Sequence, residues 1–169
     1  MRVLVTGGVR SGKSRHAESL LDAALPVVYV APGPTRDDDD WAARVRAHQE
    51  RRPEAWTTAE THDLATALTV EPPVIVDCLG TWLTAVIDDL EGWDAPVDEL
   101  TGRVLDLVGT AIAAMGHDVV LVTNEVGLGI VPEHRSGRVF RDLLGTVNQR
   151  FAEACDEVHL VVAGRVLVL

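Results

Sequence analysis

Short runs of apolar residues alternate along the chain with segments whose apolar positions recur every three or four residues. Runs that are apolar throughout predict strands buried on both faces, and the three-to-four spacing predicts amphipathic helices. The apolar runs lie at residues 1–6, 27–31, 74–77, 119–123, 158–163 and 166–169, and the helical patterns lie at residues 13–24, 61–70, 79–90, 97–115 and 136–155. This alternation predicts an α/β fold, with a mostly parallel sheet covered by helices on both faces. Gly164, between the last two runs, predicts a C-terminal β-hairpin.

Length and composition limit the function classes. The 169 residues contain no long linker, which predicts one domain spanning residues 1–169. The formal net charge of −11 would repel phosphate backbones and anionic lipid, so we expect no nucleic-acid partner and no membrane insertion. No apolar run reaches the roughly 20 residues of a membrane span, and a cytoplasmic location is predicted. Cys78 and Cys155 form neither a disulfide framework nor a metal-ligand spacing.

A phosphate-binding motif follows the first predicted strand. The motif G-x-x-x-x-G-K-[ST] is matched by Gly7, Gly8, Val9, Arg10, Ser11, Gly12, Lys13 and Ser14. In this motif, backbone N–H groups cradle a polyphosphate and the lysine neutralises its outer phosphates. Lys13 is the single lysine among 15 basic residues. The motif lies between a predicted strand and a predicted helix, as required, and predicts binding of a nucleoside triphosphate.

An acidic residue ends the third predicted strand. Asp77 follows three apolar residues, the pattern of the acidic residue that holds Mg²⁺ in P-loop enzymes. Ser14 and Asp77 are therefore the predicted magnesium ligands. The alternative is that Asp77 caps the helix predicted from residue 79.

One histidine lies among arginines in the polar segment after the second strand. A neutral imidazole is a good nucleophile toward phosphorus, so His48 is a candidate catalytic residue. The neighbouring Arg51 and Arg52 would neutralise the phosphates that it attacks. On residue types alone, a histidine beside Glu50 is more often a surface ion-pair partner, and both roles stay open.

Several segments together resemble a known family. They are Gly7–Glu18, Arg44–Glu60, Asp77–Leu79, Val122–Glu133, Arg141–Asp142, Asn148–Gln149 and Asp156–Val158. In these segments the chain is similar to the bifunctional adenosylcobinamide kinase / adenosylcobinamide-phosphate guanylyltransferase family of cobalamin assembly. The resemblance runs over almost the whole chain. The segment around His48 and the loop 124–133 are specific to that family, whereas the phosphate-binding motif is not.

The resemblance implies a RecA-like P-loop fold, a homotrimer and two activities. A nucleoside triphosphate (GTP, or ATP for this step) phosphorylates adenosylcobinamide. A histidine then takes GMP from GTP and passes it to adenosylcobinamide phosphate, with Mg²⁺ as cofactor. The resemblance assigns catalysis to His48 and Lys13. It assigns nucleotide contacts to Gly7–Ser14, Ala31, Pro32, Gly33, Gln49, Glu50, Arg51, Arg52, Glu60 and Asp77.

Two other functions remain alternatives. One is a simple P-loop kinase in which His48 is structural, and the other is a non-catalytic GTP-binding regulator. The chain lacks the N-K-x-D motif with which GTPases read the base, which argues against the regulator. Beyond these, Asn124 and Glu125 are candidates for sensing the γ-phosphate or the acceptor hydroxyl, and Trp82 for bordering a corrinoid. We interpret His159 as surface-exposed or satisfied by partners.

Overall fold

The computed structural model describes residues 1–33, 52–116 and 118–169. Elements are numbered in chain order over these residues. The strands are β1 (Arg2–Gly7), β2 (Val27–Val30), β3 (Trp56–Ala59), β4 (Val74–Asp77), β5 (Val119–Val122), β6 (Glu157–Val162) and β7 (Arg165–Val168). The helices are α1 (Lys13–Ser19), α2 (Leu64–Ala67), α3 (Leu79–Asp89), α4 (Val97–Ala114) and α5 (Arg135–Glu153), with a 3₁₀ turn at Gly92–Asp94.

All the described strands form one sheet in the order β3-β2-β4-β5-β1-β6-β7. Neighbouring strands are parallel except β7, which pairs antiparallel with β6. Strand β5 separates β1 from β4, with Val122 paired to Val5 on one side and to Asp77 on the other. At a strand spacing of about 4.8 Å, this register sets Asp77 about 10 Å from Val5, which precedes the phosphate-binding motif.

Each face of the sheet packs against helices. Val3, Val5, Ile75 and Val120 pack on the side of α1, together with Ala17 of that helix. The opposite face carries Leu4, Val76 and Leu121 and packs against α3, α4 and α5. The predicted fold class is therefore confirmed, including helices on both faces and the C-terminal hairpin.

Strand β3 was not predicted. Its sequence, Trp-Thr-Thr-Ala, follows a polar segment and lacks an apolar run. It lies at the edge of the sheet, where Thr57 and Thr58 are exposed and only Trp56 is buried. An edge strand needs few apolar residues, so apolar patterning gives no signal for it.

Two helices are shorter than their apolar spacing suggests. Helix α1 ends at Ser19, since Leu20 is its C-cap residue, and α2 is a single turn.

The hypothesis that Trp82 borders a corrinoid is wrong. Its side chain is only 1% exposed, packs edge-on against Phe151, and donates from its indole N–H to the carbonyl of His62 at 3.0 Å.

Candidate nucleotide-binding site

The predicted site residues that the structure describes gather at the carboxyl edge of the parallel sheet. Gly7 ends β1 and Asp77 ends β4, while Gly33 and Glu60 follow β2 and β3. Because these strands are parallel, their carboxyl ends meet at one edge, which is where open α/β sheets bind ligands. The predicted residues His48, Gln49, Glu50 and Arg51 lie outside the described residues.

The phosphate-binding loop runs from β1 to α1 through two residues with left-handed backbone. Arg10 has φ 55° and Gly12 has φ 97°. Gly12 precedes α1 as its N-cap residue, a position whose positive φ favours glycine. Within the loop, the N–H of Ser11 donates to the carbonyl of Gly8 at 3.3 Å. The loop therefore turns tightly, and Gly8, Val9 and Arg10 at its tip are exposed.

Neighbouring elements hold this loop from two sides. The N–H of Glu125 donates to the carbonyl of Gly7 at 3.1 Å, and the N–H of Gly164 donates to the carbonyl of Ser11 at 2.8 Å. A Cβ at Gly7 would lie 2.4 Å from the carbonyl oxygen of Val161, so only glycine fits between β1 and β6 there. The loop is thus anchored before a nucleotide arrives.

Lys13 begins α1, and its side chain folds back over the loop. The ammonium Nζ donates to the carbonyl of Gly8 at 3.1 Å and the side chain is half-buried. Its four-carbon stem allows the charge to turn from the loop carbonyl to a phosphate. The lysine is therefore within reach of the predicted triphosphate position.

Asp77 is held by a tyrosine on the adjacent strand. The hydroxyl of Tyr29 in β2 donates to Asp77 Oδ2 at 2.8 Å. Burial, and next the neighbouring carboxylate, raise the pKa of Tyr29 above its ordinary value, which keeps the hydroxyl protonated as a donor. Sequence reasoning missed this tyrosine, and the only signal was a hydroxyl within an otherwise apolar strand.

The donor chemistry at Ser14 and Asp77 fits a magnesium ion. Mg²⁺ prefers oxygen ligands and usually takes only one or two from protein, with phosphates and waters completing its shell. A hydroxyl and a carboxylate suit it. Within residues 1–33, 52–116 and 118–169, no cluster of three or more His, Cys, Asp or Glu side chains is arranged to hold a metal. Phosphate oxygens would therefore have to complete such a site.

Arg52, at the start of the segment that leads into β3, stacks on the same tyrosine. Its guanidinium carbon lies 3.6 Å from the centroid of the Tyr29 ring. One guanidinium nitrogen donates to the hydroxyl of Thr58 in β3. Two contacts thus orient this predicted nucleotide-binding arginine over the ring of the tyrosine that holds Asp77.

The remaining predicted contacts follow β2 and β3. The N–H of Ala31 donates to the carbonyl of Ala59 at 2.9 Å, which continues the pairing of these strands beyond their ends. Pro32 is buried, whereas Ala31 and Gly33 are half-buried and Glu60 is exposed. These residues therefore lie next to one another at the site's outer edge.

Two histidines beside the loop hydrogen-bond to each other. The carboxylate of Glu157 accepts from His159 Nε2 at 2.7 Å, because a carboxylate only accepts. With both rings neutral, His159 Nδ1 then accepts from His16 Nε2 at 2.8 Å. His159 is buried and both of its ring nitrogens have partners, so its interpretation as a satisfied residue is confirmed.

Comparison with known proteins decides which family this arrangement belongs to. The family model CobU, described as cobinamide kinase / cobinamide phosphate guanyltransferase, matches residues 3–169. Among curated proteins, the chain is 44% identical to the bifunctional adenosylcobalamin biosynthesis protein CobU of Salmonella typhimurium, over 97% of both chains. It is 41% identical to the protein of the same name from Escherichia coli, over 97% of both chains. It is 37% identical to the bifunctional adenosylcobalamin biosynthesis protein CobP of Pseudomonas aeruginosa, over 97% of this chain and 94% of the relative.

The chain belongs to the cobinamide kinase / cobinamide phosphate guanyltransferase family. The family resemblance inferred from the sequence motifs is confirmed, and with it a bifunctional kinase and guanylyltransferase of adenosylcobalamin biosynthesis. The two activities in the family description name cobinamide and cobinamide phosphate as substrates and imply the use of a nucleotide. The simple kinase and the non-catalytic regulator are therefore not needed to explain this chain.

The loop after β5 is hydrogen-bonded to the phosphate-binding loop and to α5. The N–H of Gly127 donates to the side chain of Glu125, whose own N–H is bonded to Gly7. The amide of Asn148 in α5 donates to the carbonyl of Asn124 at 3.2 Å. Asn124 and Glu125 thus lie beside the phosphate-binding loop, as their predicted sensing role requires.

No helix in the described part of the chain is long and apolar enough to cross a membrane.

Proposed function

We propose that His48 is the nucleophile of guanylyl transfer and that Gly7–Ser14 bind the triphosphate it attacks. The observation that carries the proposal is the contact of Arg52 with Tyr29, whose hydroxyl bonds to Asp77. Arg52 follows His48 by four residues. Four residues span at most about 14 Å, so position 48 is within covalent reach of Arg52 and the groups around it, which supports the proposal.

In the kinase step, the aminopropanol hydroxyl of adenosylcobinamide attacks the γ-phosphorus of a nucleoside triphosphate. The loop amides hold the phosphates in line for this attack, and Lys13 offsets the negative charge that moves onto the leaving diphosphate. GTP, or ATP for this step, is the proposed donor. The kinase product is adenosylcobinamide phosphate.

In the transferase step, the unprotonated imidazole nitrogen of His48 attacks the α-phosphorus of GTP. The bond from that phosphorus to the bridging oxygen breaks, pyrophosphate leaves, and a guanylyl–histidine phosphoramidate remains. A phosphate oxygen of adenosylcobinamide phosphate then attacks the same phosphorus. This second attack releases the imidazole and yields adenosyl-GDP-cobinamide.

The nucleotide contacts proposed around these steps follow the family resemblance. Gln49, Glu50, Arg51 and Arg52 would contact the nucleotide from the His48 segment, and Ala31, Pro32, Gly33 and Glu60 from the outer edge. Ser14 and Asp77 would hold Mg²⁺, which when bound neutralises charge on the phosphates. Arg52 is already oriented by Thr58 and Tyr29, which suits a phosphate contact.

We also propose a homotrimer that works as a single-domain cytoplasmic enzyme. The edge strand β7 supports self-association, because among the described residues only β6 pairs with it and its apolar side chains are exposed. Leu167 is 56% exposed and Leu169 is 71% exposed. Light scattering combined with size exclusion tests the trimer, and a monomer at micromolar concentration contradicts it.

Incubation with GTP labelled at the α-phosphorus tests the proposed nucleophile. We expect protein-bound label that acid removes and base does not, since a phosphoramidate on imidazole is acid-labile. GTP labelled at the γ-phosphorus should leave no label on the protein. Failure of the α-label to attach would contradict the covalent intermediate, and guanylyl transfer would then have to pass directly from GTP to adenosylcobinamide phosphate.

A further inference from the structure

Tyr29 is the only tyrosine of the chain, and its ring lies in the core beneath the site. Its side chain is 2% exposed. Tyr29 pairs with Ile75 in the parallel register of β2 and β4, so Asp77 lies two residues further along on the same face. The hydroxyl therefore reaches Asp77 from below the carboxyl edge, across one strand spacing.

The hydrogen bond occupies one oxygen of the carboxylate. Tyr29 donates to Asp77 Oδ2, and the other oxygen, Oδ1, accepts no hydrogen bond from the described residues. A buried hydroxyl that loses its partner costs free energy, so the pair favours a single carboxylate orientation. One oxygen is then held and the other is free to face a ligand.

The ring holds a second group. The guanidinium of Arg52 lies over its face at 3.6 Å, within the distance of a cation–π contact. The bond from Arg52 to Thr58 fixes the rotation of the guanidinium plane about this contact. The hydroxyl of Tyr29 therefore contacts Asp77, and its ring contacts Arg52.

We propose that Tyr29 is a positioning residue, whose hydroxyl orients Asp77 toward the metal–phosphate group and whose ring orients Arg52 toward the nucleotide. The inference rests on the proposed function, since it takes the nucleotide roles of Asp77 and Arg52 from there. It adds a residue that neither the phosphate-binding motif nor the His48 segment contains. The two roles separate chemically, because phenylalanine keeps the ring and leucine keeps neither group.

Binding of a fluorescent, non-hydrolysable GTP analogue to the full-length protein tests the two roles, with Mg²⁺ or with EDTA. Tyr29→Phe should weaken binding about three- to tenfold with Mg²⁺, the effect of one lost hydrogen bond, and leave binding in EDTA unchanged. Tyr29→Leu should weaken binding under both conditions. In the Asp77→Asn background, Tyr29→Phe should have no further effect on the gain in affinity from Mg²⁺, because the carboxylate that Tyr29 would orient toward the metal is gone.

Trp82→Phe is the matched control. Trp82 is 1% exposed and its indole N–H donates to the carbonyl of His62 at 3.0 Å, so the substitution removes a comparable buried bond elsewhere. It should lower the melting temperature and leave the gain in affinity from Mg²⁺ unchanged. If Tyr29→Phe behaves in the same way, Tyr29 is merely structural and the inference is wrong.

The same experiments distinguish failure of the inference from failure of the proposed function. If the wild-type protein binds the analogue more tightly with Mg²⁺ and takes α-label from GTP, the proposed function stands. An unaltered Tyr29→Phe variant then overturns only the positioning role. If the wild-type protein does neither, the proposed function fails, and the inference fails with it.

Discussion

The backbone N–H of Gly164 donates to the carbonyl of Ser11 at 2.8 Å, so the turn of the C-terminal hairpin holds the middle of the phosphate-binding loop. The two residues are 153 positions apart in the chain. Gly164 has φ 76°, and a Cβ at Gly12 would lie 3.5 Å from its Cα. The hairpin therefore packs directly against the loop that binds phosphate.

Replacing Gly164 should change nucleotide affinity only when the N–H is lost. Gly164→Pro removes the donor to Ser11, and because proline fixes φ at about −65° it also loses the turn's φ of 76°, so it should weaken binding of the GTP analogue at least tenfold. Gly164→Ala keeps the donor and costs about 1 kcal/mol of stability through its positive φ. Titration of both variants, alongside thermal unfolding, checks this. Equal affinities in the two variants would show that the bond to Ser11 does not support the loop.

Replacing His48 should separate the two activities. His48→Ala should abolish guanylyl transfer and leave phosphorylation of adenosylcobinamide within about threefold, because only guanylyl transfer needs the imidazole. Lys13→Ala should reduce both, since both use the same triphosphate site. Separate assays with γ-labelled and α-labelled GTP measure the two rates. A His48→Ala variant that still transfers GMP contradicts the covalent role.

Guanylyl transfer should fall in acid. The attacking nitrogen must be unprotonated, so the rate should drop as pH falls below the ordinary imidazole pKa of ~6.5. Single-turnover labelling between pH 5 and 8, roughly the range over which an ordinary imidazole titrates, measures the profile. The kinase rate serves as the control, because it does not need this imidazole. A labelling rate that is flat to the acid end of the range would contradict the assigned nucleophile.

Folding stability should also fall in acid, through His16. Burial, and next the nearby His159, lower the pKa of His16 below its ordinary value. A depressed pKa means that the unfolded chain binds the proton first. Neutral His16 therefore makes its full contribution to the free energy of unfolding above about pH 6.5. This contribution is lost as the pH falls through the pKa that His16 has in the folded protein. Urea unfolding at pH 7.5 and 5.5 measures this effect. Between these two pH values the free energy of unfolding should fall less for His16→Gln than for the wild type.

His62→Gln is the comparison for this measurement. His62 pairs with Asp89 at 2.7 Å, and both side chains of this pair are exposed. Exposed ion pairs contribute little to stability, so this variant should keep the pH dependence of the wild type. A wild-type dependence that survives His16→Gln would mean that other groups carry it.

The local sequence determined the phosphate-binding motif and the buried strands of this protein. The motif Gly7–Ser14 is contiguous, and its glycines and lysine have roles that follow from backbone freedom and charge. The apolar runs of β1, β2, β4 and β5 report burial on both faces, which is a local property of each segment. Asp77 was recognised as the acidic end of such a run. The fold class and the family followed from these features.

Tertiary structure alone decided which distant groups meet. The bonds of Tyr29 to Asp77, His16 to His159 and Gly164 to Ser11 depend on strand order and register. Periodicity along the chain says which face of a segment is buried, but not which strand lies beside it. Strand β3 was not predicted because it lies at the edge of the sheet. Its threonines are exposed there, so its sequence has no apolar run. Contacts between side chains distant in sequence are set by how the sheet assembles, and that is a property of the whole chain.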